Sequence, residues 1–404
     1  MNNRERILIV TECFYPEEFK INDVAIEWKK KGYEVDVLTM TPTYPQGKVF
    51  PKYKNKFFYS KDVYEGVTIY RIFSITGYRN NVVKKILRYL NFMLLASIIS
   101  IFIGKKYHYV FGWNGGALTD MLPAVIIHKL YKKPTMLWVQ DVWPDSVYAY
   151  GFRKRKFLSV PLDLFVKFIY SNISAIAISS KGFEAKLKPY VRENLKFNYA
   201  PNWADELDFN LESADLGDTT KVHFTFAGNV GKVQNLENII DAFKTLSTEY
   251  QNKSQLNIIG DGSNLEHLQT LSQDNQNIVF HGKKPRNDMA SFYKASDFLI
   301  ISLIDKPIFR VTVPAKTQTY IAAQKPILAI INGDVADIIK ENNLGICADP
   351  SDLNKIKKAF IECIDMKEDQ KLLFNGNNAI LSKTIFNKNN IIDNLYLELT
   401  NKHK

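Results

Sequence analysis

The segment 308–326 carries Arg310 and Lys316 around a predicted helix start, a context that predicts anion binding. It follows a predicted buried strand, Asp297–Ser302, and leads into a predicted helix with Pro314 near its first turn. Proline is tolerated there because the first N–H groups of a helix have no partner within the helix. Those N–H groups and the helix dipole attract an anion, and the two side-chain charges add to that attraction. Because loops at the carboxyl ends of strands bind phosphorylated ligands in open α/β sheets, the segment predicts a phosphate site.

Two glycine-containing loops are predicted at the ends of two other strands in the same half of the chain. Gly228, Asn229 and Lys232 follow the first of these strands, and Gly260 and Gly262 follow the second. Glycine lets the backbone approach a ligand closely, and a lysine can reach a phosphate. Each loop alone also fits an ordinary strand-to-helix turn. Because the carboxyl ends of parallel strands share one edge of a sheet, these loops and the cationic segment are predicted to converge on one ligand.

Polar and aromatic residues mark predicted strand ends in the first half of the chain. Asp141 and Trp143 close one strand, where the carboxylate can orient a sugar hydroxyl or accept its proton and the indole can stack on a sugar face. Asp145, next to them, fits a helix cap equally well. Further polar residues follow the first predicted strand on the same edge, namely Glu17, Glu18, Asn22 and Asp23.

Short apolar runs alternate with helical patterns along the chain, which predicts an α/β fold. Such alternation forms parallel sheets with helices on both faces, and two series of it predict two Rossmann-like domains. We expect the first domain at 1–205 and the second at 206–385, with a C-terminal segment, 386–404, that packs back on the first domain. The predicted strands are Ile7–Thr11, Val35–Thr39, Ile69–Phe73, Tyr109–Gly112, Thr135–Val139, Ala175–Ser179, His223–Ala227, Leu256–Ile259, Ile278–His281, Asp297–Ser302 and Ile327–Ile330.

Size and composition favour a globular protein of about two domains. The chain has 404 residues, of which 46% are hydrophobic and 24% charged, so disorder is not expected. The three cysteines and six histidines show no metal-ligand spacing, and widely spaced cysteines favour a reducing compartment. The N-terminus leads directly into a strand, so no signal peptide is expected. Neither G-x-G-x-x-G nor a Walker sequence is present.

Positive charge is concentrated in the first half of the chain. Residues 1–200 hold 31 Lys/Arg against 16 Asp/Glu, a net charge of +15, whereas residues 201–404 have a net charge of −4. A cationic half fits nucleic acid, an anionic membrane surface or a phosphorylated lipid, and it also fits a soluble protein from a lysine-rich proteome. Because no nucleic-acid-binding motif is present, no nucleic-acid partner is expected.

The segment Asn91–Gly104 is almost uniformly apolar and has lysines on both flanks. It is shorter than the roughly 20 apolar residues that a membrane-spanning helix needs. We expect it to form a buried helix of the first domain. The alternative is a monotopic element that dips into a membrane with its basic flanks on the head groups.

Several short motifs carry a family resemblance over nearly the whole chain. They are Ile7–Thr11, Tyr15–Glu17, Ile21–Asp23, Gly32–Val35, Pro45–Lys48, Asp141–Ser146, Pro201–Trp203, Ala227–Asn229, Gly260–Gly262, Phe280–Gly282, Tyr293–Asp297 and Val313–Lys316. Together they resemble a retaining glycosyltransferase of the GT-B fold, family four. More narrowly, they resemble the fucosamine-transferase-like branch that builds bacterial capsule and O-antigen repeats. The resemblance implies two Rossmann-like domains facing across a cleft, with a nucleotide-sugar donor on the second and an acceptor on the first.

The resemblance also implies roles for individual residues. Arg310 and Lys316 would grip the donor diphosphate and, with Asp141, form the catalytic set. Stabilising the departing nucleotide is the main catalytic task, which cations and helix N-termini perform without a metal or other cofactor. The implied donor-binding residues are Gly228, Asn229, Lys232, Gly260, Gly262 and Thr319, and the implied acceptor-binding residues are Glu17, Asn22, Asp23 and Trp143.

The chain departs from the family pattern at two places. Val311 and Thr319 stand where many members carry a glutamate pair, so Thr319 would hydrogen-bond the ribose more weakly than glutamate. Asn229 and Gln234 stand where the family has a phosphate-binding arginine and lysine, and Lys232 compensates only with a different spacing.

The predicted function is transfer of a sugar onto a polyprenyl-diphosphate-linked saccharide in capsule or O-antigen synthesis. The donor is expected to be a UDP-linked, N-acetylated amino sugar. The enzyme is expected in the cytoplasm, peripherally bound to the inner face of the cytoplasmic membrane. A UDP-sugar epimerase of the same fold and a non-catalytic nucleotide-sugar or glycan binder are the alternatives.

Overall fold

The computed structural model describes residues 5–56, 58–149, 156–204 and 206–401; Asp205, at the predicted domain boundary, lies outside them. The chain separates into two compact units. One comprises Met1–Pro201 with Ile391–Lys404, and the other comprises Asn202–Asn390.

The first unit contains an eight-stranded sheet in the order β3-β4-β2-β1-β5-β6-β7-β8. Every neighbouring pair is parallel except β3 with β4. The strands are β1 Arg6–Val10, β2 Glu34–Met40, β3 Tyr59–Tyr64, β4 Val67–Ile72, β5 Tyr109–Asn114, β6 Thr135–Val139, β7 Ala175–Ile178 and β8 Phe197–Tyr199. The helices are α1 Lys20–Lys30, α2 Val82–Ile103, α3 Leu122–Tyr131, α4 Asp145–Ala149, α5 Lys156–Ser171 and α6 Phe183–Leu187.

The antiparallel β3 is a departure from the predicted parallel arrangement. Glu65 and Gly66, which join β3 to β4, both have positive φ, 47° and 75°. Two such residues form a type I′ turn, which pairs the flanking strands antiparallel. The strand went unpredicted because it has no fully buried residue and so no apolar face to reveal it.

The segment 91–104 is helical, as predicted, but the prediction that this helix is buried is wrong. The segment lies in α2, which begins where the side chain of Asn81 accepts a hydrogen bond from the backbone N–H of Lys84. Of the described residues, Val82–Lys106 form the one helix long and apolar enough to cross a membrane by length and composition, and only 28% of its most apolar window is buried. Uniform hydropathy conceals which face of a helix is covered, so the sequence did not show this exposure.

The second unit contains a six-stranded, wholly parallel sheet in the order β11-β10-β9-β12-β13-β14. The strands are β9 Val222–Ala227, β10 Ser254–Ile259, β11 Ile278–Gly282, β12 Phe298–Ser302, β13 Ile327–Ile330 and β14 Gly345–Ala348. The helices are α7 Leu236–Lys244, α8 Thr248–Asn252, α9 Leu265–Ser272, α10 Met289–Ala295, α11 Pro307–Arg310, α12 Ala315–Ala322, α13 Asp334–Glu341, α14 Leu353–Ile364 and α15 Glu368–Lys383. Strands with helices on both faces are continuous apolar runs, as the fully buried residues of β12 illustrate.

The last helix, α16 (Lys388–Thr400), packs on the first unit. The indole N–H of Trp28, in α1, donates a hydrogen bond of 3.2 Å to the backbone oxygen of Ile392. The rings of Tyr33 and Tyr396 stack with their centres 4.2 Å apart. These contacts fix the C-terminal helix against α1.

Candidate functional site

The carboxyl edge of the second sheet holds a cavity of about 580 Å³. Its walls are the loops that follow β9, β10 and β11 together with the start of α10. The strand order reverses between β9 and β12, and in open α/β sheets ligands bind beside such a reversal. Four residues predicted from the sequence line it together: Gly228, Asn229, Gly260 and Gly262.

The two glycine loops pack backbone against backbone. A Cβ atom on Gly260 would lie 1.8 Å from the carbonyl oxygen of Gly228, and Gly260 has a φ of +141°, which L side chains rarely adopt. A Cβ on Gly262 would lie 2.3 Å from the carbonyl oxygen of Val230. Only glycine at these positions lets both loops share one wall of the cavity.

We expect Gly260→Ala to destabilise the protein by about 1–3 kcal/mol, because the backbone must take a strained conformation and also move away from Gly228. Chemical denaturation measures this change in the free energy of unfolding. Gly282→Ala is the matched control, because Gly282 also has positive φ, +68°, but has nothing within 4 Å of an added Cβ. Equal destabilisation by the two variants would show that the loop contact contributes nothing.

Lys316 places a buried ammonium beside the first glycine loop. It is the second residue of α12, and its Nζ lies 3.6 Å from the centre of the Phe226 ring. A Cβ on Gly228 would lie 3.2 Å from the same Nζ. The atom is buried and has no hydrogen-bond partner among the described residues, and burial lowers the pKa of Lys316 to about 7. A buried cation without a partner is costly, so this position suits an anionic ligand.

Tyr320, which the sequence analysis missed, holds α12 against β9. Its buried hydroxyl lies 3.0 Å from the backbone nitrogen of Ala227, from which it accepts, and 3.2 Å from the carbonyl oxygen, to which it donates. This pair of bonds sets the distance between Lys316 and the loop at Gly228. A tyrosine one helical turn after Lys316 is the only sequence signal of this role.

Arg310 ends the short helix α11 and is exposed. Its Nε and Nη2 each donate a 2.6 Å hydrogen bond to the carboxylate of Asp305. The bond and charge of Asp305 raise the pKa of Arg310, and Arg310 in turn lowers the pKa of Asp305. The pairing orients the guanidinium while part of its charge is compensated.

Three cations that the sequence analysis missed line the cavity, namely Lys283, Lys284 and Arg286. They follow β11, in the run Gly282-Lys-Lys-Pro-Arg, which is itself the signal that was overlooked. On the opposite loop, the side-chain oxygen of Gln234 accepts a 3.1 Å bond from the Gly231 N–H and so holds its own loop. The cationic side chains that line the cavity therefore come from the β11 loop. They do not come from the positions at which the family has arginine and lysine, because this chain has Asn229 and Gln234 there.

The other predicted residues of the second unit, Lys232, Thr319, Arg310 and Lys316, are not among the described lining residues of this cavity. Lys232 is exposed after the first glycine loop. The hydroxyl of Thr319 donates a 3.3 Å bond to the backbone oxygen of Ala315, within α12. Their roles toward a donor remain predictions.

The first unit has a smaller cavity, about 280 Å³, at the carboxyl edge of its own sheet. It lies beside the ends of β1 and β5, where that strand order reverses. Aromatic and cationic side chains dominate its lining, including Phe19, Tyr44, Tyr78, Tyr89, Trp113, Arg79, Lys85 and Arg88. Such a lining suits a ligand with apolar and anionic parts.

A buried charge cluster supports that cavity. Arg88 is 3% exposed and forms an ion pair with Glu12, yet its Nε and Nη2 have no hydrogen-bond partner among the described residues. Asp120 is buried close by, and burial raises its pKa to about 8 although the positive charge of Arg88 opposes the rise. None of these three residues was singled out from the sequence.

The predicted acceptor residues lie at the edge of the first sheet, but the described lining of the cavity includes none of Glu17, Asn22, Asp23 and Trp143. The buried carboxylate of Glu17 accepts bonds of 2.8 and 2.7 Å from the backbone N–H groups of Thr43 and Tyr44. Asn22 donates a 2.7 Å bond to the backbone oxygen of Glu17. These contacts hold two loops together, and an acceptor contact by the four residues remains a prediction.

Asp141 lies just after β6 and accepts a hydrogen bond from the hydroxyl of Ser146. Burial raises the pKa of its carboxyl. Its neighbour Asp145 begins α4 and forms a 2.9 Å ion pair with Lys186. The described residues contain no cluster of three or more His, Cys, Asp or Glu that could hold a metal ion.

Solved structures with the same architecture place the chain in a fold. It superposes on sucrose-phosphate synthase from Thermosynechococcus elongatus with a TM-score of 0.71 at 13% identity, covering 99% of this chain and 100% of that one. A structure described as trehalose-6-phosphate from E. coli bound with UDP-2-fluoro glucose gives 0.73 at 10%, covering 98% and 99%. Anabaena HepE in complex with UDP and glucose gives 0.64 at 12%, covering 98% and 100%. The chain has the GT-B fold.

Sequence relatives narrow the class. Residues 210–377 match the model of the family Glycosyl transferases group 1. The chain is 28% identical to a probable glycosyltransferase, WbjE, of Pseudomonas aeruginosa, over 54% of this chain and 56% of that protein. It is 24% identical to a putative colanic acid biosynthesis glycosyl transferase, WcaI, of Escherichia coli K12, over 67% and 69%. The chain thus matches little more than half the length of the first relative.

Proposed function

We propose that the protein is a retaining glycosyltransferase that takes a sugar from a nucleoside-diphosphate donor bound by its second unit. The observation that carries the proposal is the buried ammonium of Lys316, which lacks a hydrogen-bond partner among the described residues and lies beside the Gly228 loop. A diphosphate in the cavity would supply the missing partner, and the N-terminus of α12 would add its dipole. We assign Arg310, which does not line the cavity in its described pairing with Asp305, as the second cation of the leaving-group site.

The proposed donor is UDP-linked, with an N-acetylated amino sugar. Two structures of similar fold are described as holding UDP or a UDP-sugar, which supports uridine. Lys283, Lys284 and Arg286 supply further positive charge along the cavity. We assign neutralisation of the diphosphate to these cationic side chains, so the proposed reaction needs no metal ion or other cofactor.

The proposed reaction replaces one C–O bond by another. The bond from the anomeric carbon to the β-phosphate oxygen breaks, and an acceptor hydroxyl forms the new bond on the same face of the sugar. The hydroxyl proton passes to the departing phosphate oxygen. Negative charge on the nucleoside diphosphate grows toward the transition state, so Lys316 and Arg310 stabilise that state more than the ground state.

The proposed acceptor is a polyprenyl-diphosphate-linked saccharide of capsule or O-antigen synthesis, used at the cytoplasmic face of the membrane. The name of one bacterial relative, a putative colanic acid biosynthesis glycosyl transferase, supports a role in polysaccharide synthesis. The aromatic and cationic lining of the first-unit cavity suits a saccharide joined to a diphosphate. The fucosamine-transferase-like branch is part of this proposal.

Incubation of the protein with radiolabelled UDP-N-acetylhexosamines and a native lipid extract tests the proposal. We expect label to move into the lipid fraction with release of UDP. No transfer from any nucleotide sugar in the presence of native lipid would contradict it. Epimerised sugar formed without an acceptor would indicate a UDP-sugar epimerase, and saturable binding without either product would indicate a non-catalytic binder.

Donor affinity is expected to fall as pH rises above 7. The diphosphate binds the ammonium form of Lys316, whose pKa in the free protein is about 7. Below that pH the Lys316 side chain is already protonated. Above that pH the protein must take up a proton when the donor binds, which lowers the affinity about tenfold per pH unit. Calorimetric titration with UDP-N-acetylglucosamine, whose diphosphate does not titrate in this range, measures the effect. Constant affinity from pH 6 to 9 would contradict this assignment.

A further inference from the structure

Helix α2 has two opposite faces with different surroundings. One face is packed on the first unit through residues four apart, Arg88, Phe92, Ala96 and Ser100, all of which are buried. Residues four apart form a stripe along a helix, and a shift of two positions turns the stripe to the opposite side. The opposite stripe is Val82, Ile86, Leu90, Leu94, Ile98 and Phe102, and all six of its residues are exposed.

The exposed stripe is long and wholly apolar. Leu94 is 58% exposed, Ile98 52% and Phe102 80%. At 1.5 Å per residue the stripe extends about 30 Å along the helix. A contiguous apolar surface of this kind marks a contact with a membrane or another protein.

Two neighbouring helices extend the same surface. The connections that contain α2, α3 and α5 all run in one direction across the sheet, so right-handed crossovers place the three helices on one face. Leu130 of α3 is exposed, and so are three α5 residues four apart, Val160, Leu164 and Phe168. The ammonium of Lys129, in α3, lies 5.2 Å from the centre of the Phe168 ring and connects α3 with α5.

The charge around this surface selects its partner. Residues 66–140, which include α2 and α3, contain ten Lys/Arg and a single acidic residue, Asp120, which is buried; α5 adds Lys156 and Lys167 against Asp163. Exposed lysines lie at both ends of α2, namely Lys84, Lys85, Lys105 and Lys106. An apolar face with a cationic border complements an anionic lipid surface, whereas two copies of it would repel each other.

We propose that α2, with α3 and α5, forms a monotopic membrane-binding surface that lies in the head-group region of an anionic bilayer. The helix does not span the bilayer, because its buried stripe is occupied by the packing of the first unit. The exposed stripe enters the acyl boundary, and the lysines contact lipid phosphates.

The position of this surface also suits a lipid-linked acceptor, a point that rests on the proposed function. Lys85, Arg88 and Tyr89 line the first-unit cavity, while Val82 and Ile86 of the same turns are exposed. A polyprenyl chain in the bilayer would therefore end beside that cavity. Membrane binding itself does not depend on the acceptor.

Co-sedimentation of the full chain with vesicles of phosphatidylglycerol and phosphatidylethanolamine tests the surface. We expect binding to these vesicles, weaker binding to phosphatidylcholine vesicles, and about tenfold or greater loss of binding for Leu94→Glu/Ile98→Glu. The matched control is Leu372→Glu/Ile380→Glu, which changes the same residue types at similar exposure, 57% and 63%, in the second unit. The control is expected to bind vesicles like the wild type.

Any of three outcomes, of which the first two concern vesicle binding, would overturn the proposal. These two are vesicle binding that Leu94→Glu/Ile98→Glu leaves unchanged, and no vesicle binding by the wild type. The third is light scattering that shows a lipid-free dimer which this variant converts to monomer, since the face would then be a contact between copies. Thermal unfolding of each variant, measured in parallel, reports on folding, and binding of UDP-N-acetylglucosamine reports on the proposed function. Vesicle binding without donor binding would remove the proposed function and leave this inference standing.

Discussion

Lys316→Met is expected to lower kcat/KM for sugar transfer by about 100- to 1,000-fold. In other enzymes, removal of one hydrogen-bond donor to the charge that develops in the transition state has an effect of this size. Methionine keeps much of the volume of lysine but removes the ammonium that would contact the leaving diphosphate. The same variant is expected to be more stable than the wild type at pH 6. Because burial depresses the pKa of Lys316, its buried ammonium destabilises the folded state at low pH. This destabilisation decreases as pH rises from about 7 toward the pKa of the same lysine in the unfolded chain.

Opposite changes in stability and activity separate this role from a structural one. Thermal unfolding at pH 6 and pH 10, beside initial rates, provides both measurements. Lys253→Met, a change at an exposed lysine in an ion pair with Glu249, is the control and should retain activity. Wild-type turnover in Lys316→Met would remove the residue from the mechanism.

Arg310→Ala is expected to lower turnover by about 100-fold, because it removes a charge-assisted bond to the leaving group. Asp305→Asn should cost less, since it keeps the guanidinium and one acceptor oxygen and removes only the carboxylate charge and one of the two 2.6 Å bonds that orient the guanidinium. Single-turnover rates with a saturating UDP-sugar separate this effect from donor affinity.

The control for Arg310 is Lys306→Ala, which removes an exposed cation from the same loop. A loss of turnover as large as that of Arg310→Ala would show that general positive charge, and not the Arg310 guanidinium, is required. Turnover of Arg310→Ala within twofold of the wild type would contradict the assignment.

The second unit could be predicted well from the sequence because its features are local. Glycine after a strand end marks a close backbone approach, and the structure brings Gly228 and Gly260 together at one wall of a cavity. Proline before a helix marked the start of α12 and hence the position of Lys316. The parallel order of the strands followed from their alternation with helices.

Features that depend on contacts between distant residues were missed. The ion pair of Arg88 with Glu12 joins residues far apart in sequence, and neither residue stands in a motif. Glu17 was predicted to contact the acceptor substrate. Its carboxylate instead accepts hydrogen bonds from two backbone N–H groups of a loop that the sequence did not place beside Glu17. The short strands β8 and β14 are mostly only partly buried, so neither shows the continuous apolar run that revealed the similarly short β13.

The exposed face of α2 shows the same limit. Hydropathy alone predicted a buried helix, because apolar residues on the packed face and on the exposed face contribute equally to the mean hydropathy. Only the packing of Phe92 and Ala96 distinguishes the two stripes.

A crystal structure of the chain with a bound UDP-sugar tests the central claim most directly, because it locates the diphosphate. The proposed function predicts a diphosphate oxygen about 2.7–3.2 Å from Nζ of Lys316, in the cavity beside Gly228. A donor bound elsewhere, with Nζ still over the Phe226 ring, would contradict it.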